Sequence, residues 1–288
     1  MTKVLLTGAE GRFGRDFITW LGQHYELFPL TWETCDIRDL GAVRDAVRKI
    51  KPQVVVHAAA FTDVDGAEQN VDSAFAVNAI GSRNVAMAAE EAEAWLIALS
   101  TDYVFSGRLG RAYHEFDPPS PINVYGQSKL AGERAVAACC RRHTIVRTAW
   151  LYANTGPCFP RTIIRHLLQS VGSGQPVRVV ADQRGNPTST RVLADLVHRL
   201  IREPIPGIVH GACEGAVSWY EFACEIQFGL HLPGEIVACA TEDVARPANR
   251  PRNSALDNMV LRLEGYAPLP TWQEALKLWI RENRDEFV

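Results

Sequence analysis

The chain has 288 residues, with 30 Lys plus Arg against 33 Asp plus Glu and a net charge of −3. At 47% hydrophobic and 22% charged residues its composition is that of a globular protein, which excludes intrinsic disorder. The near-neutral balance offers no field for a nucleic-acid backbone, and the apolar runs are far too short to span a bilayer. Met1-Thr2-Lys3 leads straight into Val4-Leu5-Leu6 and a glycine turn, a start with no room for a signal peptide. Seven cysteines (Cys35, Cys139, Cys140, Cys158, Cys213, Cys224, Cys239) are scattered without a C-x-x-C pair, which speaks against a disulfide framework or zinc knuckle and for a reducing cytoplasm.

The first half alternates strand-like and helix-like periods. Val4-Leu5-Leu6 reads as a buried strand, followed by Phe13, Phe17, Trp20 and Leu21 at helical spacing. Leu27 to Leu30 predicts a second strand, Leu40 to Ile50 a second helix, and Val54-Val55-Val56 a third strand. An Ala-rich stretch from about Ser73 to Ala92 reads as helical, and Trp95 to Leu99 as a fourth strand. Apolar strands separated by amphipathic helices imply an α/β fold, a doubly wound parallel sheet of the Rossmann kind, with ligands at the carboxyl ends of its strands. After about Arg147, Gly, Pro and Asn thicken and the elements shorten. Two helix starts stay legible as capping boxes, Ser218-Trp219-Tyr220-Glu221 and Thr271-Trp272-Gln273-Glu274. The expected organisation is a dinucleotide-binding domain over residues 1–150 and a smaller substrate-binding lobe over 151–288, some segments of which return to the first domain.

Gly8-Ala9-Glu10-Gly11-Arg12-Phe13-Gly14 lies between the first strand and the first helix. Glycines there let the backbone turn tightly and approach a diphosphate, whose charge the helix N-terminus stabilises. The tip of the second strand carries Thr31 and Trp32 rather than the acid that holds ribose hydroxyls and repels a 2′-phosphate. With Arg12 in the loop, this favours NADPH with NADH also accepted, although Glu33 and Asp36 lie close by.

Ser100-Thr101 ends the fourth strand, and Tyr125 and Lys129 stand four apart, on one face of a helix. A free phenol, with a pKa near 10, exchanges protons poorly at neutrality. An ammonium one turn away is expected to lower that pKa and suit the tyrosine to proton transfer with a carbonyl or alcohol oxygen.

These motifs, T-G-x-x-G-x-x-G with Y-x-x-x-K, resemble the extended short-chain dehydrogenases/reductases. Ser100-Thr101-Asp102-Tyr103-Val104-Phe105 and Tyr125-Gly126-Gln127-Ser128-Lys129-Leu130-Ala131-Gly132-Glu133 are similar to the dTDP-4-dehydrorhamnose reductase family. The likeness continues in Ala58 to Asp65, Arg147-Thr148-Ala149-Trp150, Gly185-Asn186-Pro187-Thr188 and Arg250 to Ser254. It implies a 4-keto reductase of a nucleotide-linked 6-deoxysugar, serving deoxysugar and polysaccharide biosynthesis. Tyr125 would be the proton donor, Lys129 would bind the nicotinamide ribose, and Thr101 would hydrogen-bond the substrate oxygen. Gly8, Gly11, Arg12, Phe13, Gly14, Asp36, Ile37, Ala59, Ala60, Phe61 and Thr62 would line the cofactor, while Asp102, Tyr103 and Trp150 would face the sugar. Arg12-Phe13 replaces the commoner Gln-Leu or Gln-Val, and Pro157-Cys158-Phe159 an Asn-Asn-Phe-like segment, which leaves the sugar open.

Arg246, Arg250 and Arg252, stiffened by Pro247 and Pro251, form a cationic loop. Arg250 and Arg252 are expected to grip the substrate diphosphate. The histidines have no partners at ligand spacing; His57 is expected to meet a backbone group, Asp63 and Asp65 to be solvated or capping, and no metal is expected. A homodimer stays open. Two other functions compete. A non-catalytic subunit like the regulatory subunit of methionine adenosyltransferase is disfavoured by Thr101 and Trp150. A nucleotide-sugar dehydratase or epimerase is disfavoured because Asp102-Tyr103 stands where dehydratases carry an Asp-Glu pair.

Overall fold

Six parallel strands form the central sheet of the computed structural model, which describes residues 1–287. They are β1 (Lys3–Thr7), β2 (Glu26–Leu30), β3 (Val54–His57), β4 (Trp95–Thr101), β5 (His143–Thr148) and the segment Gly207–His210. From one edge the order is β2-β1-β3-β4-β5 and then Gly207–His210. The apolar runs of the strands follow from burial on both faces. Val4 and Leu6 of β1 join Val54, Val56, Ile97 and Val146 in one core, whereas Leu5 joins Val55, Leu96 and Ile145 in the other. Successive strand residues point to opposite faces, and from Val4 to Thr7 and along all of β3 every position is buried.

Helix Arg12–Leu21 covers the first face with Phe13 and Phe17. The second face is covered by Leu40–Ile50, through Val43 and Val47, and by Ser82–Glu91, through Val85, Ala88 and Ala89. The Ala-rich stretch is helical, though not α throughout. Val71–Phe75 and Ser82–Glu91 are separated by a π-helical turn over Ala76–Gly81. Within it, the Asn78 carboxamide accepts from Phe61 N at 2.8 Å and donates to Phe61 O at 3.1 Å and Ser128 Oγ at 2.9 Å. A π-turn at a functional site is a recurrent device, and here it buries a polar side chain that ties the Phe61 loop to Ser128 of helix Val124–Cys139.

Beyond residue 150 the chain shuttles between two bodies. Strands Val177–Val180 and Ile236–Cys239 pair in parallel and lie with helices Phe159–Ser173 and Trp219–Leu230 around a small core of Ile163, Leu167, Val177, Val179 and Ala223. Helix Thr190–Arg202 instead returns to the first core through Val192, Leu193, Leu196 and Val197, and Gly207–His210 pairs with β5. Both capping boxes form, Ser218 with Glu221 and Thr271 with Glu274. No helix among the described residues is long and apolar enough to cross a membrane.

Candidate active site

At the end of β1, Gly8 takes φ +71°, and a Cβ there would fall 2.6 Å from Ala59 N. Only glycine therefore lets the two loops meet where the strand order reverses, between β1 and β3, which is the expected ligand crevice of such a sheet. Helix Arg12–Leu21 begins there with Gly11 as its cap and no side chain on its first amides. A cavity of about 660 Å³ opens over this helix end. Gly8, Gly11, Arg12, Phe13 and Gly14 line it from the glycine loop, Asp36 and Ile37 from beyond β2, and Ala59, Ala60, Phe61 and Thr62 from beyond β3. Tyr125 and Lys129 close its inner end.

Thr101 is the last residue of β4 and caps the turn Asp102–Val104; its hydroxyl accepts from Tyr103 N at 3.2 Å and donates to Asp102 Oδ1 at 3.0 Å. Burial raises the Asp102 carboxyl to about 7, a rise that the Ser254 and Thr101 hydroxyls partly offset. Helix Val124–Cys139 starts at Asn123, whose carboxamide accepts from Gly126 N at 2.7 Å and donates to Asn249 O at 2.7 Å. A Cβ on Gly126 would stand 2.2 Å from Tyr103 O. The glycine after Tyr125 thus lets the helix press on the turn beyond β4, with the Tyr103 and Tyr125 rings edge to face at 6.0 Å.

Burial pushes the Tyr125 phenol up to about 12, a rise that the Thr101 hydroxyl and the Arg12 guanidinium partly offset. The expected action of Lys129 on that phenol is not the arrangement found. Its Nζ donates to Leu99 O at 2.8 Å, and burial lowers the ammonium to about 8 against the opposing charge of Glu133. A shared helical face brings the two side chains together, but a buried amine turns to the nearest carbonyl that can satisfy it. Beneath it, Glu133 takes a bidentate grip from Arg147 at 2.9 and 2.7 Å and a hydrogen bond from Ser100 Oγ at 2.5 Å. His57 meets two hydroxyls rather than a backbone group, Thr7 Oγ1 at 2.7 Å and Ser82 Oγ at 3.0 Å. Burial lowers its pKa to about 3, so it stays neutral.

A second cavity, of about 520 Å³, joins the first along Arg12, Thr62, Ser100, Tyr125, Thr148 and Leu151. Thr101, Asp102, Tyr103, Trp150 and Arg250 line it. Trp150 adopts φ +47° and stacks on Trp219 with ring centres 3.5 Å apart and planes 3° from parallel. The arginine loop requires correction. Arg250 is held by Asp65 in a bidentate pair at 2.8 and 2.8 Å, and Arg252 lies outside this cavity, paired with Glu242 at 2.5 Å. Arg246 lines the cavity and has no ion-pair partner among the described residues. Asp63 caps helix Val64–Gln69 through Gly66 N, whereas Asp65 serves Arg250. Phe159, of the Pro157-Cys158-Phe159 segment, lines this cavity, whereas Trp219 and the buried Asn78 were not anticipated; only Trp219, directly after the capping Ser218, sat beside a readable signal.

The model of the RmlD substrate binding domain family matches residues 1–284. Among curated proteins, the chain is 38% identical to the spore coat polysaccharide biosynthesis protein SpsK of Bacillus subtilis, over 98% of each chain. It is 41% identical to a dTDP-4-dehydrorhamnose reductase of Streptomyces griseus, over 94% of this chain and 91% of that one. Among solved structures, dTDP-4-dehydrorhamnose reductase from Bacillus anthracis in complex with NADP superposes with a TM-score of 0.93 at 38% identity, covering 98% of this chain and 100% of that one. With a glycine loop, a Thr-Tyr-Lys centre and a second cavity all in place, the chain belongs to the dTDP-4-dehydrorhamnose reductase family.

Proposed function

We propose that this protein reduces the C4 keto group of a nucleotide-linked 4-keto-6-deoxysugar, with dTDP-4-dehydro-L-rhamnose as the first substrate to test and NADPH as reductant. The observation that carries this reading is the meeting of two cavities at Tyr125, one over a bare helix N-terminus and one walled by tryptophans. The residues present fit a dinucleotide. Gly8 admits no Cβ, the first amides of helix Arg12–Leu21 carry no side-chain cap, and that end favours an anion. Bound there, NADPH supplies a hydride to the sugar carbon.

Tyr125 protonates the C4 oxygen as negative charge develops on it, the step for which a phenol near a carbonyl is suited. Its raised pKa keeps the proton available at neutral pH. The Thr101 hydroxyl, fixed by Asp102 and Tyr103 N, orients that oxygen toward the phenol. Lys129, protonated at pH 7 with its amine anchored on Leu99 O, holds a positive charge at the inner end of the cofactor cavity. Trp150 and Trp219 give the sugar a flat wall that excludes water. Arg246 is the free cation for the diphosphate, in place of Arg250 and Arg252, which already hold carboxylates. We place the reaction in the cytoplasm, in keeping with seven free thiols among the described residues.

A panel of nucleotide-linked 4-keto-6-deoxysugars, followed by loss of reduced-nicotinamide absorbance, tests the assignment. Turnover of at least one thymidine-linked 4-keto sugar is expected. Silence across the whole panel, with a folded protein that binds NADPH, would sink it.

A further inference from the structure

The far end of the cofactor cavity is walled by Leu30, Thr31, Trp32, Cys35, Asp36 and Arg38. The carboxylate there is already spoken for. Arg38 Nε and Nη2 lie 2.9 and 2.7 Å from Asp36 Oδ2, and the Asp36 carboxylate also accepts from Arg38 N at 2.9 Å. This pairing holds the Asp36 carboxyl below its ordinary range. A guanidinium is a planar fork with two usable edges, and the carboxylate occupies only the Nε–Nη2 edge. The Nη1 edge remains, on a side chain that is 51% exposed and lines the cavity.

Arg12 is placed differently. It borders the substrate cavity as well and acts on the Tyr125 phenol, at the opposite end from Thr31 and Trp32. The other charged groups lining the cofactor cavity are Glu10, Arg15 and Lys129. No acid follows directly on β2, where Thr31 closes a turn with Thr34 through Thr31 N to Thr34 Oγ1 at 2.9 Å.

We infer that Arg38, paired with Asp36 through its Nε–Nη2 edge, is the residue that accepts the 2′-phosphate of NADPH and sets the preference over NADH. The inference rests on the dinucleotide reading above and assigns the selectivity that Arg12 was expected to carry. Asp36 does two things at once in this arrangement. It fixes the plane of the fork, and its own charge is neutralised so that it does not repel the phosphate. A lysine at position 38 keeps the charge but cannot hold carboxylate and phosphate on separate edges.

The test is direct binding without any sugar substrate, by calorimetry with adenosine 2′,5′-bisphosphate, adenosine 5′-monophosphate, NADP⁺ and NAD⁺. Arg38→Ala should weaken the two 2′-phosphorylated ligands by roughly 10- to 100-fold, the scale of a lost hydrogen bond to a charged group, while the other two change by less than about threefold. Arg38→Lys should recover only part of the loss, and Arg12→Ala should leave the NADP⁺/NAD⁺ affinity ratio unmoved. Retained NAD⁺ binding shows that each variant is folded. If Arg38→Ala leaves the ratio within twofold of the parent, or Arg12→Ala collapses it, the assignment is overturned. Binding of no dinucleotide by the parent chain would remove the cofactor reading itself, and this inference with it.

Discussion

The two cavities are built by different means. The cofactor side is made mostly of main chain at the ends of β1, β2 and β3, held by glycines and by a buried carboxamide. The substrate side is made of side chains drawn from Trp150, Phe159, Trp219 and Arg246, which meet only because the chain leaves the sheet and returns to it. The difference teaches where a function can be read from order along the chain. A diphosphate held by backbone amides needs a compact loop of fixed spacing. A sugar held by side chains needs no particular spacing at all.

The largest effect follows from removing the proton donor proposed at the shared centre. Tyr125→Phe should slow turnover by ~10²- to 10⁴-fold, the usual range for losing a general acid, with NADPH affinity changed by less than about twofold. Stopped-flow turnover and equilibrium binding separate the two. A variant within tenfold of the parent rate would mean that the proton comes from elsewhere.

The next effect contrasts a buried ion pair on β5 with an exposed one in the arginine loop. Arg147 is 2% exposed and its partner Glu133 is 5% exposed, whereas Arg252 and Glu242 are 67% and 66% exposed. Arg147→Met strands a buried carboxylate and should cost ~3–5 kcal/mol of folding stability, read from denaturant midpoints. Adding Glu133→Leu should recover most of that loss, because the pair can be replaced by apolar volume. Arg252→Met should change stability by less than ~1 kcal/mol.

The smallest effect is the sharpest test within the arginine loop. Arg246→Gln should raise KM for the nucleotide-sugar by about tenfold or more, as expected for loss of a charged hydrogen bond to phosphate. Arg252→Gln should change KM by less than about twofold, since its guanidinium already serves Glu242 on the surface. NADPH binding should be unchanged in both. Equal effects at the two positions would show that the free and the paired arginine are not distinct in function.

The strands, the glycine loop and the Tyr125–Lys129 spacing were legible because each is local. Gly8 and Gly14 flank one turn, and Tyr125 and Lys129 share one helical face. What escaped was set by partners far along the chain. Asp65 and Arg250 are 185 residues apart, so nothing in Arg250-Pro251-Arg252 could tell which arginine was already engaged. The Lys129 amine was expected to act on the phenol, but the carbonyl it serves belongs to β4, 30 residues earlier. The π-turn carried no signal of its own, and the backbone that its Asn78 side chain serves, at Phe61, lies 17 residues earlier.

The central claim is that hydride and proton are delivered across one carbonyl at the junction of the two cavities. It is tested most directly by a single turnover with NADPH deuterated at the nicotinamide C4, in separate stereospecifically labelled forms, and a thymidine-linked 4-keto-6-deoxysugar. One labelled form should leave deuterium on C4 of the sugar, matched mole for mole by oxidised cofactor, and Tyr125→Phe should slow that transfer without moving the label. Deuterium at any other carbon, or sugar conversion without net oxidation of NADPH, would contradict the account.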